Sequence, residues 1–208
     1  MRCTGLLGVK LKEVKKTHFV LKYFMKRHYS SPKGFVGRSI CFLVFDKGTV
    51  VGAIVGGTST LHLPGRDEFF GISKSENRVK RLNSIINNVF YHVNKELFIG
   101  KPPRNYFKKI LTMFEDVIAR RWEEKYGDKV VGFESLVELP RAGEGYIRSG
   151  YERVGTTKGF TCKRESSDSG KGNRDSWSGV RVWNTDPEQL RPKGVFCKRW
   201  TAWGNEIT

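Results

Sequence analysis

Three stretches of the chain gather side chains able to move protons or hold anions. His28-Tyr29-Ser30 sets an imidazole, a phenol and a hydroxyl side by side, the groups that serve as general base, acid and hydrogen-bond relay. The same histidine can equally be a structural hydrogen-bonder. Glu134 and Glu138 stand four residues apart, which on a strand puts both carboxylates on one face, as bases or metal ligands if a cleft receives them. The Gly/Tyr series after them includes Gly143, Tyr146, Gly150, Tyr151 and Gly159. It reads as tight strand–helix–strand turns or, with interleaved Lys158, Lys163 and Arg164, as a stacking surface for unpaired bases. Lys198 and Arg199 repeat the Lys163-Arg164 context, FCKR against TCKR, and complete the candidate nucleic-acid contacts.

The third stretch is GKPPRNYFKK, where Lys101, Arg104 and Asn105 lead into the longest helical pattern. A helix N-terminus offers unpaired N–H groups to phosphate, and acyl-CoA-dependent acetyltransferases seat the CoA pyrophosphate at such a junction. Pro102 and Pro103 remove two of those donors, so an ordinary helix start with solvated basic residues is the competing reading. His18, His28, His62 and His92 are scattered without ligand spacing, and neither a Walker loop nor a G-x-S-x-G elbow is present.

The elements that must position these groups follow from periodicity. Residues 1–12 read as a strand and 13–27 as a helix, with Val14, His18, Leu21 and Met25 at helical steps. Ile40–Phe45 and Thr49–Val55 flank Asp-Lys-Gly and read as a hairpin. Residues 76–86 read as a helix, VFYHV as a strand, ELFIG as a short strand or as part of the loop NKELFIGKPPRN, and 104–126 as the main helix, stopped by Gly127. Strands over 130–137 and 152–162 enclose a short helix at 144–150. The order describes a mixed α/β sheet flanked by helices. From Glu165 onward composition shifts to a linker-like stretch holding two β-like islands, VRVWNTD and KGVFCKRW. The expected division is a domain over 1–164 and a basic, β-containing C-terminal extension over 165–208. Cys162 and Cys197, in their matching contexts, read as neighbours in a sheet.

The formal net charge is +17, from 38 Lys and Arg against 21 Asp and Glu. Such an excess opposes compaction and calls for a polyanionic partner, most often phosphate backbones. The four cysteines form no C-x-x-C pair, which fits free thiols in a reducing compartment. The N-terminal apolar run is short and soon interrupted by Lys, unlike a signal peptide. The basic stretch Lys10 to Lys26 suits an anionic membrane surface as well, but its apolar residues follow strand and short-helix patterns, and the expected location is cytoplasmic.

The motif series resembles a known family. HYS after a basic helix, a hairpin, a helix led by PPRN, the YGDKVVGFESLV strand and the G-x-x-Y-x-x-x-G-Y-x-x-V-G-x-T-x-G run together resemble the Mom family of phage DNA-modification proteins. They are also similar to the related domain of the Druantia anti-phage system, over roughly residues 22–164. The resemblance implies an acetyltransferase-like (GNAT-related) fold. It also implies transfer of an acyl or acetamido-type group from an acyl-CoA or related donor to the exocyclic amine of a base in duplex DNA, adenine first, which protects DNA from restriction in an infected or prophage-bearing bacterial cell. It places His28 and Tyr29 in the reactive centre, with Ser30 beside them, Glu138 as the strand carboxylate, Tyr146 as the acid for the leaving group, and Arg104 and Asn105 in the donor loop. Lys108 stands near the position of a family serine. An iron at His28 and Tyr29 is a variant of this scheme. The alternatives are a non-catalytic DNA-binding or anti-defence protein on the same scaffold, and an acyl-CoA-dependent N-acetyltransferase of a protein or small molecule.

Overall fold

The computed structural model describes residues 8–35, 37–59, 62–72, 78–97, 105–159, 161–164, 181–184 and 190–201. Strands β1 (Val9–Val14), β2 (Ser39–Asp46), β3 (Thr49–Thr58) and β4 (Ile85–Val93) form an antiparallel meander. β5 (Gly132–Glu138) joins β4 in parallel. β9 (Lys193–Arg199) pairs antiparallel with β5 and then with β6 (Glu152–Thr156). The sheet order is β1-β2-β3-β4-β5-β9-β6, while β7 (Thr161–Arg164) and β8 (Arg181–Asn184) form a separate two-stranded ribbon.

Helices cover both faces. α4 (Tyr106–Tyr126) packs Ile110, Phe114, Ile118 and Trp122 on Phe42, Ile54, Ile86 and Phe133, with short α5 (Glu144–Ile147) beside it. The other face carries α1 (Phe19–Arg27), whose Leu21, Phe24 and Met25 meet Cys41, Leu43, Val55 and Phe90. It also carries α2 (Pro64–Phe69), next to Leu136, Val154 and Val195, and α3 (Arg78–Asn83). Among the described residues no helix is long and apolar enough to cross a membrane.

The hairpin reading holds in detail. Asp46 pairs with Thr49, and both turn residues, Lys47 and Gly48, have positive φ, the backbone that matches strand twist. Gly127 caps α4 in the left-handed conformation, as read from sequence.

Several readings are corrected. α1 starts only at Phe19, with His18 as its cap, because Val14 belongs to β1. The helix expected over 76–86 ends at Asn83. Ile85 and Ile86 are fully buried in β4 on opposite faces, where β-branched side chains pack better than on a helix. The strand expected over 152–162 is two strands, β6 and β7, separated at Gly159, whose positive φ and carbonyl bond to Arg191 turn the chain out of the sheet. Cys162 and Cys197 are not sheet neighbours, since β7 pairs with β8 and β9 lies in the main sheet. ELFIG is not seen as a strand: Lys95–Leu97 is a single 3-10 turn, and its last residues lie outside the described part. Lys193–Arg199, from the expected C-terminal extension, runs between β5 and β6, with Val195, Phe196 and Cys197 buried.

Candidate active site

β4 and β5 are hydrogen-bonded over three residue pairs, from Ile85–Gly132 to Asn87–Glu134, and then part. β4 goes on pairing with β3 up to Val93, and β5 with β9 up to Glu138. Each strand is therefore held by its outer neighbour while an opening widens between them. A bulge marks the start of the opening: Gly56 opposes Asn88 and Val55 opposes Phe90, so Val89 has no partner across the ladder. Bulges bend a strand and free backbone groups. This one also switches the face of the side chains that follow.

On the α4 face the opening is lined by aromatic rings. Tyr146 of α5 is buried and donates its hydroxyl to Asn88 Oδ1 at 3.0 Å. Burial raises its pKa well above the ordinary phenol value, with the Ser135 hydroxyl working the other way, so it keeps its proton at neutral pH. Phe107, in the first turn of α4, stands perpendicular to Tyr91 (4.5 Å between centroids) and to Tyr146 (5.2 Å). Among the described residues, Asn88 Nδ2 and the Tyr91 hydroxyl are buried without a hydrogen-bond partner, the kind of polar atom that a ligand in the opening would satisfy. The first turn of α4 has no acidic residue, and Asn105 precedes it in the left-handed region without a side-chain cap. The α4 amides and the exposed Lys108 and Lys109 thus make a positive end beside the opening. Lys101 and Arg104 lie outside the described residues.

The opposite face carries the His28 group. His28 follows α1 and lies over β4, its ring 4.8 Å from Phe90 and 6.0 Å from His92. Its Nδ1 accepts the Ser30 N–H at 3.3 Å and lies 2.8 Å from Ser30 Oγ. A backbone N–H can only donate, so Nδ1 is the acceptor for both groups and the ring proton belongs on Nε2. Burial first, then His92 and Arg141, hold the pKa of His28 down to about 4. It is a neutral imidazole at pH 7. Tyr29 lies near Glu138, and Arg141 covers its ring at 3.7 Å. Burial raises the Tyr29 pKa. Tyr29, Ser30, Glu138, Lys158, Arg191 and Lys193 line a cleft of about 730 Å³.

The structure thus gathers His28, Tyr29, Ser30 and Glu138, and places Tyr146 across the opening from them. Glu134 shares the strand face of Glu138, as its spacing requires, but is fully buried against Arg66 at 2.5 Å and serves structure. Lys158 is exposed at the cleft. The side chains of Lys163 and Arg164 are outside the described part. Lys198 is engaged by Glu115 at 2.6 Å, and Arg199 by the Phe69 carbonyl and ring. Asn88, Tyr91, Arg141 and Arg191 are not among the site residues expected from sequence, and His92 enters there only as one of four scattered histidines. The Asn pair inside the run IINNVFYHV is the signal that marks the first of them. Among the described residues no three His, Cys, Asp or Glu side chains form a metal-holding group, so an iron at His28 and Tyr29 gains no such set.

The fold matches solved acetyltransferases. One from Bacillus subtilis, solved in complex with CoA, superposes with a TM-score of 0.52 at 10% identity, over 93% of this chain and 99% of that one. An IAA acetyltransferase from Bacillus cereus gives 0.50 at 11%, over 92% and 99%. A ribosomal-protein α-N-acetyltransferase, RimL, gives 0.50 at 12%, over 92% and 93%. At such identities the likeness is one of fold. No curated protein matches in sequence. The family of the Druantia protein DruA matches residues 3–141. With two thirds of its length covered by that match, the chain belongs to the family of the Druantia protein DruA.

Proposed function

We propose that this protein is an N-acyltransferase that takes its acyl group from an acyl-CoA-type donor on the α4 face of the β4–β5 opening and passes it to an amine of nucleic acid entering from the His28 face. The observation that carries the reading is the opening itself, with a protonated, buried tyrosine on one side and a neutral histidine–serine pair on the other. The donor side fits the residues present: Asn88 Nδ2 and Tyr91 offer unsatisfied polar atoms, and the α4 N-terminus offers amides and two lysines for phosphate. Such a donor supplies an activated thioester carbonyl. Tyr146, kept protonated and positioned by its bond to Asn88 Oδ1, would turn its proton from that oxygen to the departing sulfur. Ser30 receives the proton shed by the attacked amine and passes it to His28 Nδ1.

The acceptor class is argued from charge. Lys158, Arg191 and Lys193 line the cleft and Arg141 covers Tyr29, while its one carboxylate, Glu138, faces Arg191 at 3.4 Å. Such surroundings repel an alkylammonium and suit a neutral amine carried on a polyanion. A base amine is neutral and becomes strongly acidic only after attack, so a histidine with a pKa near 4 is base enough. The resemblance to Mom proteins supports a base amine in DNA, which must leave the stack to reach the cleft. A second reading, N-acetylation of a protein or small molecule, is favoured by the activities of the fold neighbours, and Glu138 is the group that would face a cationic amine. Nucleoside mass spectrometry of DNA from cells expressing the wild type, His28→Ala or Tyr29→Phe, with calorimetric titration of acyl-CoA, tests the proposal. A mass-shifted nucleoside lost in both variants is expected. Modification unchanged in both variants rejects the site, and acyl-CoA binding without any modified nucleoside favours the second reading.

A further inference from the structure

Helix α1 has an outer surface that the chemistry above does not use. Phe19 is 78% exposed and Tyr23 45%. With Arg27, whose guanidinium lies 4.1 Å above the Tyr23 ring, they fall at four-residue steps on one flank. Arg27 directly precedes His28, and its charge reaches His92, so this stripe ends at the cleft. The other flank borders a groove of about 570 Å³ walled by Lys16, Lys22, Lys26 and Lys33 over a floor of Met25 and Phe35. No residue between Glu13 and Asp46 is acidic, and seven are Lys or Arg.

We propose that α1 is a docking helix for a nucleic-acid strand with unpaired bases, Phe19 and Tyr23 stacking on bases while Lys22, Lys26 and Lys33 contact phosphates beside the target nucleotide. The assignment rests on the reading of nucleic acid as the acceptor and names the surface that holds it. Charge complementarity supports this occupant, and exposed aromatics among cations are what unpaired bases recognise. A membrane surface suits α1 less well, because Leu21, Phe24 and Met25 are already buried against the sheet and leave only two exposed aromatic residues on nine. The stripe also leads into a polar, basic cleft rather than along a plane.

Fluorescence anisotropy with a labelled single-stranded oligonucleotide and its duplex tests this on the full chain. Lys22→Glu/Lys26→Glu is expected to lose about tenfold or more in affinity and to flatten the salt slope by about 1.4, for two contacts at roughly 0.7 each. Phe19→Ala/Tyr23→Ala is expected to weaken single-strand binding by about tenfold at least. A charge-matched control on the opposite, α4 face of the sheet, Arg120→Glu/Arg148→Glu, is expected to change affinity by no more than about threefold. All these positions are exposed, and unchanged melting temperatures confirm the fold. Loss in the α1 variants with the control intact supports the assignment. If the α1 variants bind as the wild type does, α1 is not the docking surface, although nucleic acid remains the partner. If the wild type binds no oligonucleotide, or binds only anionic phosphatidylserine vesicles, the assignment and its nucleic-acid premise both fall, and acyl-CoA binding measured in parallel shows whether the donor half of the reading survives.

Discussion

Tyr146 and His28 are tuned in opposite directions for one purpose. Burial keeps the phenol protonated and keeps the imidazole neutral, the states that the proposed transfer would use at neutral pH. Tyr146→Phe removes the proton donor and strands Asn88 Oδ1. Turnover is expected to fall by roughly 10²-fold or more, with a stability loss of about 1–3 kcal/mol, measured by steady-state kinetics and denaturant titration. For His28 the folded pKa lies below the unfolded value, so the unfolded state takes up its proton first as pH falls. The stability that this neutral histidine preserves is complete above the unfolded value of about 6.5 and is lost as pH falls toward about 4. His28→Asn is therefore expected to flatten the drop in melting temperature across that window. The acid limb of kcat/KM in the wild type is expected near pH 4 rather than near 6.5. An acid limb near 6.5 would show that the ring is solvated in the working enzyme.

At the scale of elements, the opening depends on where β4 and β5 stop pairing, and that point is pinned from both faces. On the α2 face, Glu134 holds Arg66, which also meets Asp67, itself paired with Arg78. Glu134→Gln leaves a buried guanidinium short of charge and is expected to cost roughly 3–5 kcal/mol. The double variant Arg66→Met/Glu134→Leu is expected to recover most of this in chemical denaturation. A double variant as unstable as the single one would show that the charges themselves, not their mutual satisfaction, hold the strands. On the α4 face, a Cβ at Gly56 would lie 2.1 Å from Ile118 Cδ1 and 2.8 Å from Ile86 Cγ2. Gly56→Ala is expected to cost about 1–3 kcal/mol through overpacking.

The whole molecule carries +17, and its local ion pairs leave that excess in place. Screening should relieve the self-repulsion. Melting temperature is expected to rise from low to physiological salt, and to rise further with an oligonucleotide, most at low salt. A salt-independent melting temperature would mean that the charges are too dispersed to oppose folding.

Much of this architecture is legible in the chain. The Asp-Lys-Gly hairpin, the long amphipathic helix with its terminal glycine and the alternation of strands with helices are local patterns, and local patterns survive folding. His28-Tyr29-Ser30, Glu138 and Tyr146 stand out in the chain as candidates, because side chains able to react are recognised by type. What the tertiary structure alone decided is which of them meet. Asn88 becomes the partner of Tyr146 only because β4 comes to lie beside β5, and the bulge at Val89 turns Tyr91 rather than Phe90 to that same face. Glu134 and Glu138 share one strand face, yet α2 covers the first with Arg66 and leaves the second at a cleft. Lys193–Arg199 looks like an island in a linker, and its place between β5 and β6 depends on a strand insertion from far along the chain. Sequence spacing sets which face a residue takes on its own element. Which element packs against that face is a long-range choice, made by burying the whole set of apolar surfaces at once.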